Sequence, residues 1–201
     1  MRIIRYTHSC VRVEVDGIVL VIDPGVWSEP RALHGADAVL VTHEHVDHVD
    51  TMRLRGLAVQ VFAPVTANLP GVNVTGVTAD QAFSAAGVGV LAVGGQHASV
   101  WDGQSSCANL GYVVDGRLYH PGDALHVPSL PVDTLLAPMQ ASWLKTAEAI
   151  RFVRAVSPRL AIGIHDAQLN ERGRSSINGW LAEEGSADYR WLAPGTAVDR
   201  S

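Results

Sequence analysis

The chain carries four side chains of metal-ligand type within six residues, in the run Thr42-His43-Glu44-His45-Val46-Asp47-His48. This run begins where an apolar, β-branched segment, predicted as a strand over 38–42, comes to its end. In an extended chain, His43 and His45 project to the same side. Asp47 and His48 follow where the chain turns, so the sequence predicts a metal site at the end of this strand.

Three further ligand-type side chains, His97, Asp123 and His165, each come shortly after another predicted strand. Taken alone, each is also explained as a capping aspartate or as a histidine bonded to the backbone. Loops that leave neighbouring strands converge on one edge of a fold. The shared placement therefore indicates that these three residues join the histidine-rich run in one site.

The predicted secondary structure is a series of short strands followed by a few helices. Strands are predicted over 2–7, 10–15, 18–22, 38–42, 59–62, 72–77, 88–93, 110–115, 117–120, 159–164 and 189–192. Helices are predicted over 52–57, capped by Asp50, and over 145–156 and 175–184. Many strands with few and late helices indicate two packed sheets with helices outside them.

Composition limits the function classes. With 201 residues, 47% apolar and 17% charged, the chain is predicted to form one domain over 1–201. A formal net charge of −5 argues against a nucleic-acid binder. No apolar run has membrane-spanning length and no leader is recognised, so we expect no membrane partner and a cytoplasmic location. A homo-oligomer stays open, and two cysteines give no disulfide framework.

With these residues in order, the sequence resembles the metallo-β-lactamase fold superfamily of metal-dependent hydrolases. The matching features are Asp23 in Ile22-Asp23-Pro24-Gly25, the run His43 to His48, His97, Asp123 after Gly122, and His165. Within that superfamily, Thr7-His8-Ser9-Cys10 and His120-Pro121-Gly122-Asp123 resemble the branch of L-ascorbate-6-phosphate lactonase. The resemblance implies an α/β fold, a four-layer αββα sandwich, with a dinuclear metal centre on one edge.

The resemblance also implies a ligand set for two divalent ions. The first ion would be held by His43, His45 and His97, and the second by Asp47, His48 and His165, with Asp123 bridging them. Nitrogen and oxygen donors suit zinc, our first expectation, and also manganese or iron. The di-iron redox members carry glutamate where this chain has His45, which favours hydrolysis over redox chemistry.

The implied activity is attack by a hydroxide bridging the two ions on a small ester-, lactone- or phosphoester-type substrate. Asp47 would ligate and orient the nucleophile, and His8 would contact substrate or donate a proton, with a purely structural histidine as the alternative. Two other functions stay open: a metal-stabilised binding protein without turnover, and a phosphodiesterase or nuclease.

Several neighbouring residues receive lesser roles. Asp23 is interpreted either as the support of a ligating histidine or as a turn residue before Pro24. His120 is predicted to support the bridging aspartate, and Glu44 to be solvated. Two tryptophans, Trp27 and Trp143, are candidates to line the pocket, but packing is the commoner role and is the one predicted. The segment 98–108 is a candidate lid.

Overall fold

The computed structural model describes residues 1–200, which form two seven-stranded sheets. The first sheet has the order β14-β1-β2-β3-β4-β5-β6, with β1 (Arg2–Arg5), β2 (Val11–Val15), β3 (Ile18–Ile22), β4 (Ala38–Leu40), β5 (Gln60–Pro64), β6 (Val74–Val77) and β14 (Thr196–Asp199). The second has the order β13-β12-β11-β10-β9-β8-β7, with β7 (Ala82–Ala85), β8 (Val88–Gln96), β9 (Ala108–Val114), β10 (Leu118–His120), β11 (Thr134–Pro138), β12 (Leu160–Ile164) and β13 (Asp188–Arg190).

Helices cover the outer faces of both sheets. They are a 3₁₀ helix (Pro30–Leu33), α1 (Thr51–Leu54), α2 (Thr146–Val156) and α3 (Glu171–Glu184). One apolar cluster lies between the sheets and includes Leu20 and Tyr112. A second packs α2 and α3 on the second sheet, and a third packs α1 and the 3₁₀ helix on the first. The predicted four-layer αββα sandwich is confirmed.

Strand direction brings the functional loops to one edge. In the first sheet β3, β4, β5 and β6 pair in parallel, and in the second β10, β11 and β12 do so. The carboxyl ends of parallel strands open at the same edge, so the loops after them lie together. Two backbone bonds join the sheets there: Leu110 N–H donates to the Thr42 carbonyl (2.9 Å), and His165 N–H donates to the His8 carbonyl (3.0 Å).

The predicted elements are confirmed in kind, but three strands and the 3₁₀ helix were missed, and the bounds of two helices differ. The helix predicted over 52–57 spans only Thr51–Leu54. Strands β7, β11 and β14 were not predicted. β11 ends in Pro138, and a proline argues against a strand in the middle of a sheet. The last helix begins at Glu171 rather than Ser175, because the Asn170 side chain accepts a hydrogen bond from Gly173 N (2.9 Å) and caps it. Across residues 1–200, no helix combines the length and apolar character needed to span a bilayer.

Candidate metal centre

Three overlapping groups of side chains at this edge can each hold a metal ion. They are His43, His45 and His97; His8, Asp47, His48 and His165; and His43, His48 and Asp123. Within each group the ligand atoms all lie within 4.8 Å of one another. Every residue that the sequence proposed as a ligand falls in at least one group. The structure thus brings together side chains from five separate loops.

The first group consists of three histidine rings packed edge to face. The His43 and His97 ring centroids are 4.8 Å apart, and His45 lies 4.7 Å from each. The Thr42 hydroxyl donates to Asp23 (2.7 Å), so it accepts from His43 Nδ1 at 3.0 Å. The ring of His97 donates from Nδ1 to the Ala98 carbonyl (2.6 Å). Both rings therefore turn an unprotonated Nε2 toward the centre.

The histidines His48 and His165 of the second group are also held by a hydrogen bond at Nδ1. His48 Nδ1 donates to the buried carboxylate of Asp23 at 2.7 Å. His165 Nδ1 donates to the Gln140 carbonyl. Because each Nδ1 donates its proton away from the centre, Nε2 is the ring atom left to bind a cation. Asp23 thereby fixes the rings of both His43, through Thr42, and His48, which favours its interpretation as a supporting residue.

His8 is buried behind Asp47 and has the opposite tautomer. Its Nδ1 accepts a hydrogen bond from Ala167 N (3.4 Å), so Nε2 carries the proton and donates to Asp47 Oδ2 (3.1 Å). The His8 ring lies tilted by 49° against that of His165, with centroids 3.9 Å apart, and its centroid is 4.8 Å from that of Trp27. In this geometry His8 orients the Asp47 carboxylate.

Asp123 lies between the two histidine groups. Its Oδ1 is 3.1 Å from His48 Nε2, and its Oδ2 is 3.1 Å from His165 Nε2 and 3.4 Å from His97 Nε2. The loop that carries it is held by Asn109, whose amide oxygen accepts from Asp123 N at 2.9 Å. Residue 122 must be glycine: its φ is +62°, and a Cβ there would lie 2.3 Å from Asn109 Oδ1.

The donor atoms at the centre fit a divalent metal ion. Within the part of the chain that the structure describes, the buried Nε2 atoms of His43, His48 and His97 and Oδ1 of Asp123 make no hydrogen bond. Buried polar atoms are almost always paired. Four unpaired nitrogen and oxygen donors facing one another are the donor set that zinc, manganese or iron takes.

The electrostatics of the cluster also favour a cation. Burial lowers the pKa of His43 well below its ordinary value, so its ring is neutral. Burial also lowers the pKa of His48, but Asp123 and Asp23 outweigh it and hold that pKa well above the usual range. The position of Nε2 beside Asp123 therefore favours a positive charge, and a bound metal ion would take the place of the second proton on this ring. Burial raises the pKa of Asp47, yet the His8 hydrogen bond prevails and lowers it to about 2. Burial raises the pKa of Asp123, but His48 and His165 hold it well below its ordinary value, so Asp47 and Asp123 both stay ionised and place negative charge at the centre.

Three residues of the site have a left-handed backbone conformation. His8, Asp23 and His165 have φ values of +65°, +49° and +58°. Non-glycine residues adopt this region at a cost and occur there mostly at functional sites. Gly25 allows the Asp23 turn to lie directly on the metal-binding loop, because a Cβ at Gly25 would be 1.8 Å from the Asp47 carbonyl oxygen.

Sequence reasoning gave other residues the wrong role or none. Trp143 was predicted to pack, but its indole Nε1–H donates to Asp123 Oδ2 at 3.1 Å. Trp27 lies against His8, and Thr42 was not singled out as a link between His43 and Asp23. Glu44 is half-buried and accepts a bond from Asn68 N, so it is not fully solvated as predicted.

The remaining minor predictions concern His120 and the segment 98–108. His120 is buried, donates to the Ser9 carbonyl (2.8 Å) and accepts from Gly122 N (3.1 Å), so it supports the loop that carries Asp123. Residues 98–107 form an irregular loop between β8 and β9, with Trp101 exposed at 65%. Closure of this loop stays a prediction.

Comparison with known proteins gives the family. A model described as the beta-lactamase superfamily domain matches residues 2–165. The chain belongs to the β-lactamase superfamily. Protein Rv0786c of Mycobacterium tuberculosis is 36% identical to this chain, and the match covers 98% of this chain and 99% of Rv0786c. UPF0173 metal-dependent hydrolase MK1542 of Methanopyrus kandleri is 28% identical over 82% of this chain and 84% of its own.

The fold is shared with a solved metallo hydrolase. Igni18, described as a novel metallo hydrolase from the archaeon Ignicoccus hospitalis, matches with a TM-score of 0.75 at 21% identity. The match covers 98% of this chain and 97% of that one. These relatives and the ligand cluster support the prediction of a metal-dependent hydrolase of this superfamily. The resemblance to the ascorbate-phosphate lactonase branch is not confirmed by them.

Proposed function

We propose that the protein is a hydrolase with two divalent metal ions that cleaves an ester- or lactone-type bond of a small molecule. His43, His45 and His97 would hold one ion, Asp47, His48 and His165 the other, and Asp123 both. The observation that carries the proposal is the position of Asp123, whose two oxygens face the histidines of both groups at 3.1–3.4 Å. Zinc is the ion we expect first.

The bound ions would supply Lewis-acid chemistry and lower the pKa of water, the usual contribution of metals to hydrolysis. The chain's own residues prepare the site for this. The buried Asp23 carboxylate keeps His43 and His48 in the tautomer with free Nε2 atoms. Asp47, kept ionised by the hydrogen bond from His8, can orient the attacking water.

A shallow cleft of about 480 Å³ opens beside the ligands and is lined by Glu44, His45, Val46, Asp47 and Asn68. No lysine or arginine is among these described lining residues, and Glu44 adds a negative charge. Enzymes that act on phosphate groups usually present arginine or lysine to them. The lining therefore favours a carbonyl substrate over a phosphoester, and it also disfavours the nuclease alternative.

The test is turnover by protein loaded with zinc, manganese or iron(II), measured on matched panels of lactones, aryl esters, thioesters, phosphodiesters and β-lactams. We expect hydrolysis in the lactone and ester panels. Asp47→Asn should keep at least one ion and lose most turnover, whereas Asp37→Asn, an exposed carboxylate on the first sheet, should behave as wild type. Full metal occupancy without turnover on any panel would support the binding-protein alternative instead.

A further inference from the structure

Trp143 belongs to a tight turn that touches the metal centre twice. The turn follows β11 and precedes α2, and the Leu144 N–H donates to the Ala141 carbonyl at 3.1 Å to close it. The Gln140 carbonyl in this turn accepts from His165 Nδ1. The Trp143 indole N–H donates to Asp123 Oδ2 at 3.1 Å. One short segment thus contacts two residues of the cluster.

The chemistry of the indole defines its contribution. The indole Nε1–H is a donor only, so it cannot bind a cation or accept a proton. Its bond fixes Oδ2 of Asp123 between His165 Nε2 at 3.1 Å and His97 Nε2 at 3.4 Å. The other oxygen, Oδ1, is left with no hydrogen bond among residues 1–200 and lies 3.1 Å from His48 Nε2.

The ring of Trp143 is also placed against the cluster. Its centroid lies 6.2 Å from those of His97 and His165, with interplanar angles of 75° and 69°. The indole is half-buried, with one edge against these rings. A tryptophan that only filled the core would not need its single polar atom directed at an ionised carboxylate inside a ligand cluster.

We propose that Trp143 is a positioning residue that holds Asp123 in the orientation in which Oδ2 lies between His97 and His165, one histidine of each metal position. This inference rests on the proposed metal centre. Loss of the indole N–H frees the carboxylate to rotate, and an aspartate that no longer faces both positions binds the shared ions less tightly. Partners of metal ligands typically contribute about 10–100-fold in affinity or activity.

The test compares Trp143→Phe, which keeps a ring but removes the N–H, with Trp180→Phe. Trp180 is 52% exposed on α3, a helix that contributes no described residue to the cluster. Zinc affinity is measured by competition with a chromogenic chelator, and the cobalt(II)-substituted proteins are compared by visible absorption. We expect Trp143→Phe to weaken the second zinc-binding step about 10–100-fold and to change the cobalt spectrum. Trp180→Phe should change neither.

A measurement on the wild-type protein keeps the inference testable if Trp143→Phe does not fold. In NMR spectra, the indole N–H resonance of Trp143, assigned by through-bond correlations, should shift as zinc is added. The corresponding resonance of Trp180 should not shift. Two results would overturn the role of Trp143 and leave the proposed function intact. One is a folded Trp143→Phe protein that binds both ions within twofold of wild type, and the other is a Trp143 resonance that does not shift with zinc. Wild-type protein that binds no divalent ion would overturn the proposed function as well.

Discussion

Asp23→Asn separates metal binding from folding most sharply. The buried Asp23 carboxylate accepts three hydrogen bonds: from Thr42 N (2.8 Å), from the Thr42 hydroxyl (2.7 Å) and from His48 Nδ1 (2.7 Å). Asparagine offers one acceptor oxygen and one donor NH₂ in the same volume. The amide must therefore place its NH₂ group against one set of these donors.

If the NH₂ group replaces Oδ2, it faces His48 and Thr42. His48 then accepts at Nδ1 and carries its proton on Nε2, and the Thr42 hydroxyl turns to donate to His43 Nδ1, which moves that proton to Nε2 as well. Both rings lose the lone pair that faces the centre. If the NH₂ group replaces Oδ1 instead, it faces the Thr42 N–H, so two donors point at each other. The buried Thr42 N–H then has no acceptor, which costs about 1–3 kcal/mol.

We therefore expect Asp23→Asn to weaken zinc binding about 10–100-fold, or about 1.4–2.8 kcal/mol, and to lower the melting temperature of the metal-free protein by several degrees at most. Chelator competition and thermal unfolding measure the two effects. Asp37→Asn is the matched control, since Asp37 also accepts from a backbone N–H, Val19 N at 2.8 Å, but at an exposed position. A folded Asp23→Asn protein with wild-type zinc affinity would refute the tautomer argument.

Three further outcomes follow from the same contacts. Gly25→Ala should cost about 1–3 kcal/mol of stability and weaken metal binding, because its Cβ would overlap the Asp47 carbonyl. Gly56→Ala, at a glycine with open space around it, is the control and should not lower the melting temperature. His8→Asn should leave the protein folded but reduce kcat about 10–100-fold at saturating metal, measured with any substrate found in the panels. Chelation should lower the melting temperature by about 5–10 °C relative to protein at a hundredfold excess of zinc over its Kd, and unchanged melting would contradict the metal site.

The ligands could be predicted from the sequence because each carries a local signal. His43, His45, Asp47 and His48 are adjacent in the chain, and His97, Asp123 and His165 each follow a strand. Their convergence was predicted because loops that leave neighbouring strands meet at one edge of a fold. The αββα layering followed from the same pattern of strands with helices around them.

The supporting residues could not be predicted, because their roles depend on how loops close in space. Thr42 links His43 to Asp23 through a hydroxyl that donates to Asp23 and accepts from His43, an arrangement that no residue spacing reveals. Trp143 sits in a turn after β11, a strand that the sequence pattern did not reveal, and a single tryptophan has no spacing that distinguishes a donor to a ligand from a packing residue. The tautomer of His8 follows from a backbone N–H at Ala167, more than 150 residues away.

Anomalous X-ray diffraction from crystals of the zinc-loaded protein, recorded on both sides of the zinc absorption edge, tests the central claim most directly. Two peaks are expected at this edge of the sandwich. One should lie among His43, His45 and His97, the other among Asp47, His48 and His165, with Asp123 contacting both. A zinc-replete crystal with no anomalous peak inside this cluster, or with its zinc bound elsewhere on the chain, would contradict the account.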